Sequence, residues 1–600
     1  MTNILTSIID LQSEKYGARE AFLYKTADRW TPTSWLELRR QVESAACALE
    51  ILGVREEGTI TIFSGNRPEI IITDFAAYAN RAVPVSIYST SSAEQVKYIV
   101  NDSGCEMIFV GNKDQYEIVA SIRKECPRLR QIVVFDDVER LKGDTTTITF
   151  AQLLQLGDKA SAKCREAVKS RTASARPDDI ATIIYTSGTT GEPKGAVLPH
   201  SCFNAVMKIH VERLTMLSDE DTSLCFLPLS HIFEKAWTYF CLYMGMKIYI
   251  NDDPRAIQHA IREVQPTCMC SVPRFWEKVY TAVQEKLGDM KGIRKWIAAR
   301  ALKVGRRRNL DYKRCGKKVP WLLEKQYQFF DRKVFAPMRK VIGVSRGNIF
   351  PTAGAPLSAN IVEFLHSCGI NIIIGYGLSE TTATVTCYPD LNYEIGTVGT
   401  TMPEVEVRIG DENEIQIKGP TVMRGYYNKP EATAEAFTDD GWFRTGDAGY
   451  IDDSGQLVLT ERIKDLFKTS NGKYIAPQAI ESRLGEDRYI EQVAVIGDRR
   501  KYVSAIIVPA FEALKEYARA HAIKFNSLDD LVQNSEIRKF IAERIERLQK
   551  GLAGFEKIKK FTLLPREFSI ETGELTNTLK LRRAIINALY ADQIEAMYAI

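Results

Sequence analysis

Length, composition and charge restrict the kind of protein that this chain encodes. It has 600 residues, of which 45% are hydrophobic and 26% are charged, and this composition is typical of soluble globular proteins with more than one domain. The formal net charge is only +4 at pH 7, so we expect no nucleic-acid partner.

The N-terminus and the apolar stretches predict a cytoplasmic protein without a membrane span. Residues 1–10 lack the basic region of a secretory signal. The most apolar stretch, 236–250, contains Lys247 and is shorter than the roughly 20 residues that cross a bilayer. The 12 cysteines are scattered, and Cys268 and Cys270 are too close together for a zinc knuckle or a disulfide framework. We therefore expect reduced cytosolic thiols.

Residues 31–350 alternate helical patterns with short β-branched runs. Such runs occur at 58–63, 107–110 and 131–135. Strands that alternate with helices in this way predict parallel α/β layers.

A glycine-rich loop follows the β-branched run Ala181-Thr-Ile-Ile184. It reads Tyr185-Thr-Ser-Gly-Thr-Thr-Gly-Glu-Pro-Lys-Gly195. Closely spaced Gly, Ser and Thr after a strand let backbone N–H groups and hydroxyls converge on a polyanion, and Lys194 adds a positive charge. The loop is not a Walker A motif, because Pro193 stands where that motif has its second glycine. The sequence therefore predicts a phosphate-binding loop of another type.

The strongest local charge bias lies in residues 291–318, which are rich in lysine and arginine. The interleaved Trp296, Ile297, Leu302 and Val304 are the candidate apolar side of a basic amphipathic helix. Two interpretations stay open: a contact with an anionic membrane surface, and a solvated basic helix packed on its own domain.

The pattern changes between residues 395 and 458 to short alternating segments with glycine turns. The clearest are 404–409 and 414–418. They predict a small antiparallel or β-barrel-like element.

A new unit follows, with strands predicted at 492–496 and 503–508 and helices within 511–550. The predicted fold class is α/β, with a large N-terminal domain of two α/β subdomains plus the small β-barrel-like element. A hinge joins it to a smaller C-terminal α+β domain. We place the N-terminal domain at 1–462 and the mobile C-terminal domain at 463–600.

The glycine-rich loop resembles the signature loop of the adenylate-forming superfamily, which contains acyl-CoA synthetases, firefly luciferase and the adenylation domains of peptide synthetases. Further segments resemble the motifs of this family and occur in the family's order. They are Leu227–Glu234, Thr352–Pro356, Gly375–Thr381, Gly441–Asp447, Glu461–Asp465, Thr469–Glu481 and Gly573–Arg583. The resemblance thus covers nearly the whole chain.

The resemblance implies a site for ATP and AMP. Adenine would stack on Tyr376, the α-phosphate would contact Thr381, and Asp447 would accept hydrogen bonds from both ribose hydroxyls. Glu380 and Thr186 would supply oxygen ligands to Mg²⁺, a hard cation that suits carboxylates, phosphates and water. The full nucleotide-binding set implied is Thr186, Ser187, Gly188, Thr189, Thr190, Gly191, Lys194, Gly354, Ala355, Pro356, Tyr376, Gly377, Thr381, Asp447 and Arg462.

The resemblance also implies residues for catalysis and movement. Lys580 would be the catalytic lysine, which neutralises charge as a carboxylate attacks the α-phosphate. His231 would lie beside the carboxylate pocket, and Trp237 would gate an acyl tunnel. Lys464 would be the hinge, and Gly472 would be the turn of a loop that lines the CoA channel.

The reaction implied is the two-step synthesis of acyl-CoA. Ser271–Tyr280 and the basic insertion before Thr352 are similar to long-chain fatty acyl-CoA synthetases, so the expected substrates are a fatty acid, ATP and CoA. Many long-chain members have proline where this chain has Asn577, which alters loop stiffness but leaves Lys580 in register. The alternatives are a synthetase for another carboxylate, an acyl-AMP ligase that supplies a carrier protein, and a non-enzymatic membrane-associated module that binds acyl groups or nucleotides. Oligomerisation stays open.

Overall fold

The computed structural model describes residues 4–26, 29–139, 144–186, 193–253, 256–462, 466–470, 473–576 and 580–599. Strands and helices alternate through the first part of the chain. In chain order they are α1 (Ile4–Tyr16), β1 (Glu20–Thr26), β2 (Arg29–Ser34), α2 (Trp35–Ile51), β3 (Thr59–Phe63), α3 (Pro68–Ala79), β4 (Val83–Ile87), α4 (Ala93–Asp102), β5 (Met107–Val110), α5 (Lys113–Ile122), β6 (Gln131–Val134), β7 (Thr147–Thr149), α6 (Phe150–Asp158), α7 (Ala162–Ser174), β8 (Ile180–Thr186), β9 (Lys194–Pro199) and α8 (His200–Arg213).

The middle of the chain contains longer helices and then short strands. Its elements are β10 (Thr222–Cys225), α9 (Ile232–Met244), β11 (Lys247–Ile250), α10 (Ile257–Val264), α11 (Pro273–Asp289), α12 (Gly292–Arg306), α13 (Trp321–Phe330), α14 (Ala336–Ile342), β12 (Phe350–Thr352), α15 (Ala359–Ser367), β13 (Ile372–Tyr376), β14 (Thr386–Cys387), β15 (Thr400–Thr401), β16 (Glu406–Ile409), β17 (Glu414–Lys418), β18 (Gly425–Tyr426), α16 (Pro430–Ala436), β19 (Phe443–Ile451) and β20 (Leu457–Arg462).

The last part of the chain mixes strands and helices around a small sheet. Its elements are β21 (Phe467–Lys468), β22 (Tyr474–Ile475), α17 (Pro477–Leu484), β23 (Ile490–Ile496), β24 (Val503–Pro509), α18 (Phe511–Ala520), α19 (Leu528–Gln533), α20 (Ser535–Leu548), β25 (Ile558–Leu563), α21 (Arg583–Leu589) and α22 (Ala591–Tyr598). Among all the helices described, none is long and apolar enough to span a bilayer.

The largest sheet confirms the predicted parallel α/β arrangement. Its strand order is β18-β9-β8-β4-β3-β5-β6-β7, and the strands from β8 to β7 are parallel. The central strands β3, β4 and β5 are buried along their whole length, because helices cover both faces of the sheet. Strand β9 returns antiparallel to β8, and β18 pairs with β9, which adds an antiparallel edge.

Two further sheets complete the α/β part. One sheet has the strand order β10-β11-β1-β2 and pairs the N-terminal strands with strands before residue 251. The other has the order β12-β13-β14-β15, and its strands come after the basic helices in the chain. In the second sheet, β12 and β13 are parallel and the remaining pairs are antiparallel.

The two predicted small units are also present. Strands β16, β17, β19 and β20 form a four-stranded antiparallel sheet in that order, in the region where alternating segments predicted an antiparallel or barrel-like element. In the C-terminal unit, β23-β24-β25 form a mixed sheet, and helices α18 to α20 pack on it, as the apolar periodicity predicted.

The basic segment 291–318 forms α12 and a π-helical turn, Arg307–Lys313, that continues it. Val304 is buried, and Leu302 packs against the same cluster, which belongs to this chain's own domain. For Val304 and Leu302, the structure therefore agrees with the interpretation of a basic helix packed on its own domain. Trp296, by contrast, is 66% exposed.

Candidate functional site

The predicted phosphate loop connects two antiparallel strands. Thr186 at the end of β8 and Lys194 at the start of β9 are paired residues at the base of this hairpin. The Thr186 hydroxyl donates a hydrogen bond to the Lys194 carbonyl at 3.3 Å. Residues Ser187, Gly188, Thr189, Thr190 and Gly191 lie outside the described residues, so their predicted roles stay predictions.

Lys194 and Glu380 meet through Tyr426, a residue that the sequence motifs did not identify. The Lys194 Nζ lies 5.1 Å from the centroid of the Tyr426 ring. The Tyr426 hydroxyl donates to Glu380 Oε1 at 2.9 Å. Pairing of β18 with β9 brings Tyr426 to this position across more than 200 residues of sequence. The loop lysine and the motif carboxylate therefore share one cluster.

Tyr376 and Asp447 come from different predicted motifs, and the structure brings them together. Tyr376, the last residue of β13, is mostly buried, and its hydroxyl donates to Asp447 Oδ2 at 2.7 Å. Asp447 lies on β19, and its backbone pairs with that of Arg462 on β20. The Arg462 side chain lies outside the described atoms.

The turn after Tyr376 has a backbone that requires glycine. A Cβ at Gly377 would lie 2.0 Å from the carbonyl oxygen of Ala383, which no side chain tolerates. Thr381 is fully buried at the end of this turn, and its hydroxyl accepts a hydrogen bond from the Leu378 N–H at 2.9 Å. Thr381 thus closes the turn that presents Glu380.

The predicted adenine-side loop begins where β12 ends. Gly354 has a φ of +95°, in the left-handed region that favours glycine, and Gly354, Ala355 and Pro356 are exposed. Small exposed residues leave space for a flat ring to approach the backbone.

A narrow cavity of about 40 Å³ lies beside this loop. Thr352, Ala353 and Tyr376 form part of its wall, and Phe233 and Trp237 from α9 form another part. Trp237 is 5% exposed, and its Nε1 donates to the Ser223 hydroxyl at 3.0 Å, so the indole is held in place. The predicted adenine and acyl residues thus line one space.

His231 caps the N-terminus of α9 and stays neutral. Its Nδ1 accepts a hydrogen bond from the Phe233 N–H at 3.2 Å. Burial lowers the pKa of His231 to about 4, and the positive charge of Lys580 acts in the same direction. A neutral ring that accepts at Nδ1 carries its proton on Nε2 and is a donor there. The electrostatic effect of Lys580 also locates that lysine near His231.

Lys580 pairs with Thr576 in the C-terminal unit. The Thr576 N–H donates to the Lys580 carbonyl at 2.8 Å, and the Lys580 N–H donates to the Thr576 hydroxyl at 3.0 Å. An antiparallel bridge between Leu575 and Leu581 continues this hairpin. Asn577 lies outside the described residues.

A buried carboxylate, Glu574, anchors the Lys580 hairpin. Arg566 donates to its two oxygens at 2.9 and 2.7 Å, the Ser569 N–H donates at 3.1 Å, and the Tyr590 hydroxyl also donates. Burial by itself raises the pKa of Glu574, but these hydrogen bonds outweigh it and lower the pKa to about 2. The carboxylate is therefore ionised at neutral pH.

The same unit also holds the segment predicted to line the CoA channel. Gly472 lies outside the described residues, as does the predicted hinge residue Lys464. The segment ends within α17, and its last residue is Glu481. Both oxygens of Glu481 accept hydrogen bonds from Arg583 at 2.6 Å. Arg583 stands three residues after Lys580, so one ion pair joins the predicted CoA-channel segment to the predicted lysine segment.

Among the described residues, no group of three or more His, Cys, Asp or Glu side chains is arranged to hold a metal ion. Glu380 and Thr186 each offer an oxygen, and Tyr426 links Glu380 to Lys194 at the base of the phosphate loop. Two such donors fit Mg²⁺, which keeps several waters and is otherwise held by substrate phosphates.

Two family models match this chain. A model described as AMP-binding enzyme matches residues 9–427, and a model described as AMP-binding enzyme C-terminal domain matches residues 464–600.

Among curated proteins, this chain is similar to long-chain-fatty-acid–CoA ligases. It is 34% identical to FadD15 of Mycobacterium bovis over 585 residues, which cover 95% of this chain and 92% of that protein. It is 31% identical to long-chain-fatty-acid–CoA ligase 1 of Homo sapiens over 600 residues, which cover 95% of this chain and 83% of that protein.

Solved structures share the fold at lower identity. The adenylation domain of a carboxylate reductase from Mycobacterium chelonae has a TM-score of 0.77 and 21% identity, and the match covers 99% of this chain and 91% of that one. The o-succinylbenzoate CoA synthetase of Bacillus subtilis has a TM-score of 0.67 and 19% identity, and the match covers 96% of this chain and 97% of that one.

Proposed function

This chain belongs to the AMP-binding enzyme family, and we propose that it is an AMP-forming long-chain-fatty-acid–CoA ligase. A fatty acid and MgATP form acyl-AMP and pyrophosphate, and CoA then displaces AMP to give acyl-CoA. Similarity to long-chain ligases over 95% of the chain is the observation that carries this proposal. The meeting of residues from separate motifs, Tyr376 with Asp447 and Lys194 with Glu380, supports it.

In the first step, a carboxylate oxygen of the fatty acid attacks the α-phosphorus. The new P–O bond forms as the bond to pyrophosphate breaks, and negative charge accumulates on both sides of the phosphorus. Lys194 and Lys580 offset this charge from two sides of the site. The neutral His231 donates from Nε2 beside the carboxylate pocket and orients the attacking group without competing for a proton.

The nucleotide binds between the motif loops. Adenine stacks on Tyr376 next to the exposed turn of Gly354, Ala355 and Pro356, and Gly377 lets the following turn approach closely. The ribose hydroxyls donate to Asp447. The α-phosphate lies against the turn that Thr381 closes.

The remaining nucleotide contacts come from the phosphate loop and β20. Ser187, Gly188, Thr189, Thr190 and Gly191 bind the phosphates with Lys194, and Arg462 completes the set. Glu380 and Thr186 would hold Mg²⁺, which would offset negative charge on the ATP phosphates.

The acyl chain enters the space beside Trp237. The cavity there is about 40 Å³, whereas pockets for ligands of drug size are typically about 300–1,000 Å³. A long chain therefore needs displacement of Trp237 or Phe233, which is the behaviour of a gate.

The second step uses a different arrangement of the C-terminal domain. We assign the N-terminal domain to 1–462 and the mobile domain to 463–600, with Lys464 as the hinge. Rotation about this hinge withdraws Lys580 and brings the Gly472 loop to the site, where the CoA sulfur attacks the acyl carbonyl carbon and AMP leaves. The thiol proton passes to solvent.

The test is release of AMP and pyrophosphate from MgATP across fatty acids of increasing length, with and without CoA. CoA-dependent AMP formation with a long-chain optimum is the expected result. Bound acyl-AMP without a response to CoA would favour an acyl-AMP ligase. Turnover only with other acids would favour a synthetase for another carboxylate, and no turnover with any acid would favour the binding module.

We also propose that the protein associates peripherally with an anionic membrane surface through the region of residues 291–318. Twelve lysine and arginine residues against one acidic residue in 291–318 support this location. The substrate supports it too, because long-chain fatty acids partition into bilayers.

A further inference from the structure

Two neighbouring helices expose large apolar side chains. On α12, Ile293 is 73% and Trp296 is 66% exposed, and on α13, Trp321 is 73%, Leu322 is 62% and Phe329 is 58% exposed. Elsewhere in the described part of the chain, only Leu11 among the large apolar residues reaches this level, at 59%. We call these five residues, together with Arg300 and Lys325, the aromatic-basic face.

The aromatic-basic face is continuous in space. Helices α12 and α13 pack against each other, and Trp296 and Arg300 line one side of a shallow hollow between them. Lys325 and Phe329 line the other side. Trp321, Lys325 and Phe329 are spaced four residues apart, so they share one stripe of α13.

Folding of the domain does not explain these exposed side chains. The opposite faces of the two helices already supply the core: Ala301 and Val304 of α12 pack with Leu323 and Tyr327 of α13 in a buried cluster. The outward apolar residues are therefore additional to the packed ones, and a contiguous exposed apolar patch indicates an interaction site.

The charge around the face indicates an anionic partner. Residues 291–333 contain fifteen lysines and arginines and three acidic residues, a local net charge of +12 in a chain whose total is +4. All three acidic residues pair with arginines: Asp311 with Arg306, Glu324 with Arg308 and Asp331 with Arg339. The remaining surface is thus strongly positive.

We propose that the aromatic-basic face docks on anionic phospholipid bilayers. Tryptophans lie preferentially at the headgroup level, aliphatic side chains such as Ile293 and Leu322 enter the acyl boundary, and basic residues contact lipid phosphates. This deepens the peripheral location proposed above and rests on it for the class of partner. The residues proposed to contact the membrane are therefore those of α13 and of the outward side of α12, and not Ile297, Leu302 and Val304.

The experiment is sedimentation of the full chain with vesicles of phosphatidylcholine containing about 30% phosphatidylglycerol, and with pure phosphatidylcholine vesicles, at low and high salt. Wild-type protein should bind the anionic vesicles and lose binding at high salt. Trp321→Ser with Phe329→Ser removes apolar contacts, and Arg300→Gln with Lys325→Gln removes charges. Each pair should lower the partition coefficient by about ten-fold or more.

Matched controls keep the comparison specific. Leu11→Ser with Leu36→Ser removes two exposed leucines from α1 and α2, and Lys163→Gln with Lys169→Gln removes two exposed charges from α7. Both controls should bind as wild type does. Acrylamide quenching gives a second measurement, because Trp296 and Trp321 should become protected when anionic vesicles are added.

The proposal would be overturned if wild type failed to bind anionic vesicles, or if the face variants and the controls bound equally. It would also be overturned if wild type were a dimer that did not bind vesicles and that dissociated when Trp321→Ser and Phe329→Ser were introduced. AMP formation is measured in parallel with fatty acid in non-ionic micelles. If wild type formed no AMP in this assay, the proposed ligase function would be refuted. The vesicle measurement would still test the docking face independently.

Discussion

Lys580 carries the sharpest prediction for a single side chain. Replacing Lys580 with Ala removes a cation that lies near His231 and should slow adenylation by about 10²-fold or more, since electrostatic groups of this kind act on the transition state. Thioester formation from supplied acyl-AMP should survive. Pyrophosphate release and acyl-CoA formation are measured separately, and Lys524→Ala, at an exposed position in the same domain, is the control. An equal loss in both half-reactions with the fold intact would contradict the assigned role.

Tyr426 should influence the response to Mg²⁺ through Glu380. Tyr426→Phe keeps the ring beneath Lys194 and removes the hydroxyl that donates to Glu380 Oε1. A hydrogen bond to a charged group contributes about 1.5–3 kcal/mol, so the Mg²⁺ concentration for half-maximal adenylation should rise at least several-fold. Tyr427→Phe, the neighbouring residue, is the control. An unchanged Mg²⁺ curve in the Tyr426→Phe variant would separate Glu380 from metal binding.

Glu234 should make the stability of the folded protein depend on pH. Burial raises its pKa from 4.5 to about 8, although the Leu227 N–H donates to it at 3.1 Å. The pKa of Glu234 is higher in the folded than in the unfolded protein. The contribution of protonated Glu234 to the free energy of unfolding is therefore complete below pH 4.5 and is lost as the pH rises toward 8. His200 and His366, with pKa values lowered to about 4, have the opposite dependence, which is confined below their unfolded value of 6.5.

The measurement for Glu234 therefore belongs between pH 7 and pH 8. The wild-type free energy of unfolding of the N-terminal domain should fall by about 1 kcal/mol across this interval, following the limit of about 1.4 kcal/mol per pH unit for one proton. Glu234→Gln should be nearly flat, and Glu212→Gln, at an exposed position, should follow wild type. Urea titrations followed by tryptophan fluorescence test this, and parallel slopes in all three proteins would refute it.

Elements follow from the sequence where local chemistry determines them. Strands β3, β5 and β6 were predicted because β-branched runs leave few alternatives to a buried strand. Helices α4, α5 and α6 each begin with a capping box, a local signal of the same kind. The loop between β8 and β9 was predicted as a phosphate loop for the same reason, since glycine spacing is readable in a short segment.

The remainder of the site depends on contacts between distant residues. Tyr426 reaches Glu380 only because a two-residue strand, β18, pairs with the edge of the large sheet, and no local pattern marks such a pairing. Glu574 reads as a surface glutamate in a polar turn, yet it is fully buried. The outward position of Trp321 likewise depends on which face of α13 packs inward, and the apolar residues of that helix occur on both faces.

Glu574 should act through the hairpin that carries Lys580. Glu574→Gln retains the shape of the side chain but removes the charge that holds Arg566 at 2.7 Å, so the turn should become less fixed. We expect the kcat for adenylation to fall about ten-fold, with a smaller change in the KM for ATP, because Lys580 acts on the transition state. Glu567→Gln, at an exposed position nearby, is the control.

A purely structural role of Glu574 would give a different result. General destabilisation of the C-terminal domain would slow both half-reactions and lower the thermal midpoint in proportion. Retention of thioester formation from supplied acyl-AMP, together with an unchanged circular dichroism spectrum, is the expected signature of a positioning residue.

At the scale of the whole molecule, polar side chains among the described residues join the N-terminal and C-terminal parts of the chain. Glu491, at the start of β23, accepts a hydrogen bond at its carbonyl from Arg274 of α11 at 3.0 Å and forms ion pairs with Arg274 and Lys278. Arg488 pairs with Glu285 of the same helix at 3.0 Å. These polar contacts accompany the placement of Lys580 near His231, so they stabilise the geometry that the proposed adenylation step uses.

Glu491→Ala should therefore shift the balance between the two half-reactions. Loss of a partly buried ion pair lowers the population with Lys580 in place, and adenylation should slow by about three- to ten-fold. Thioester formation needs the other arrangement, so it should be unchanged or faster. Glu512→Ala, which breaks an ion pair with Lys515 inside the C-terminal domain, controls for charge and domain stability. Since a population shift slows adenylation without slowing thioester formation, equal slowing of both half-reactions would refute alternation between two arrangements.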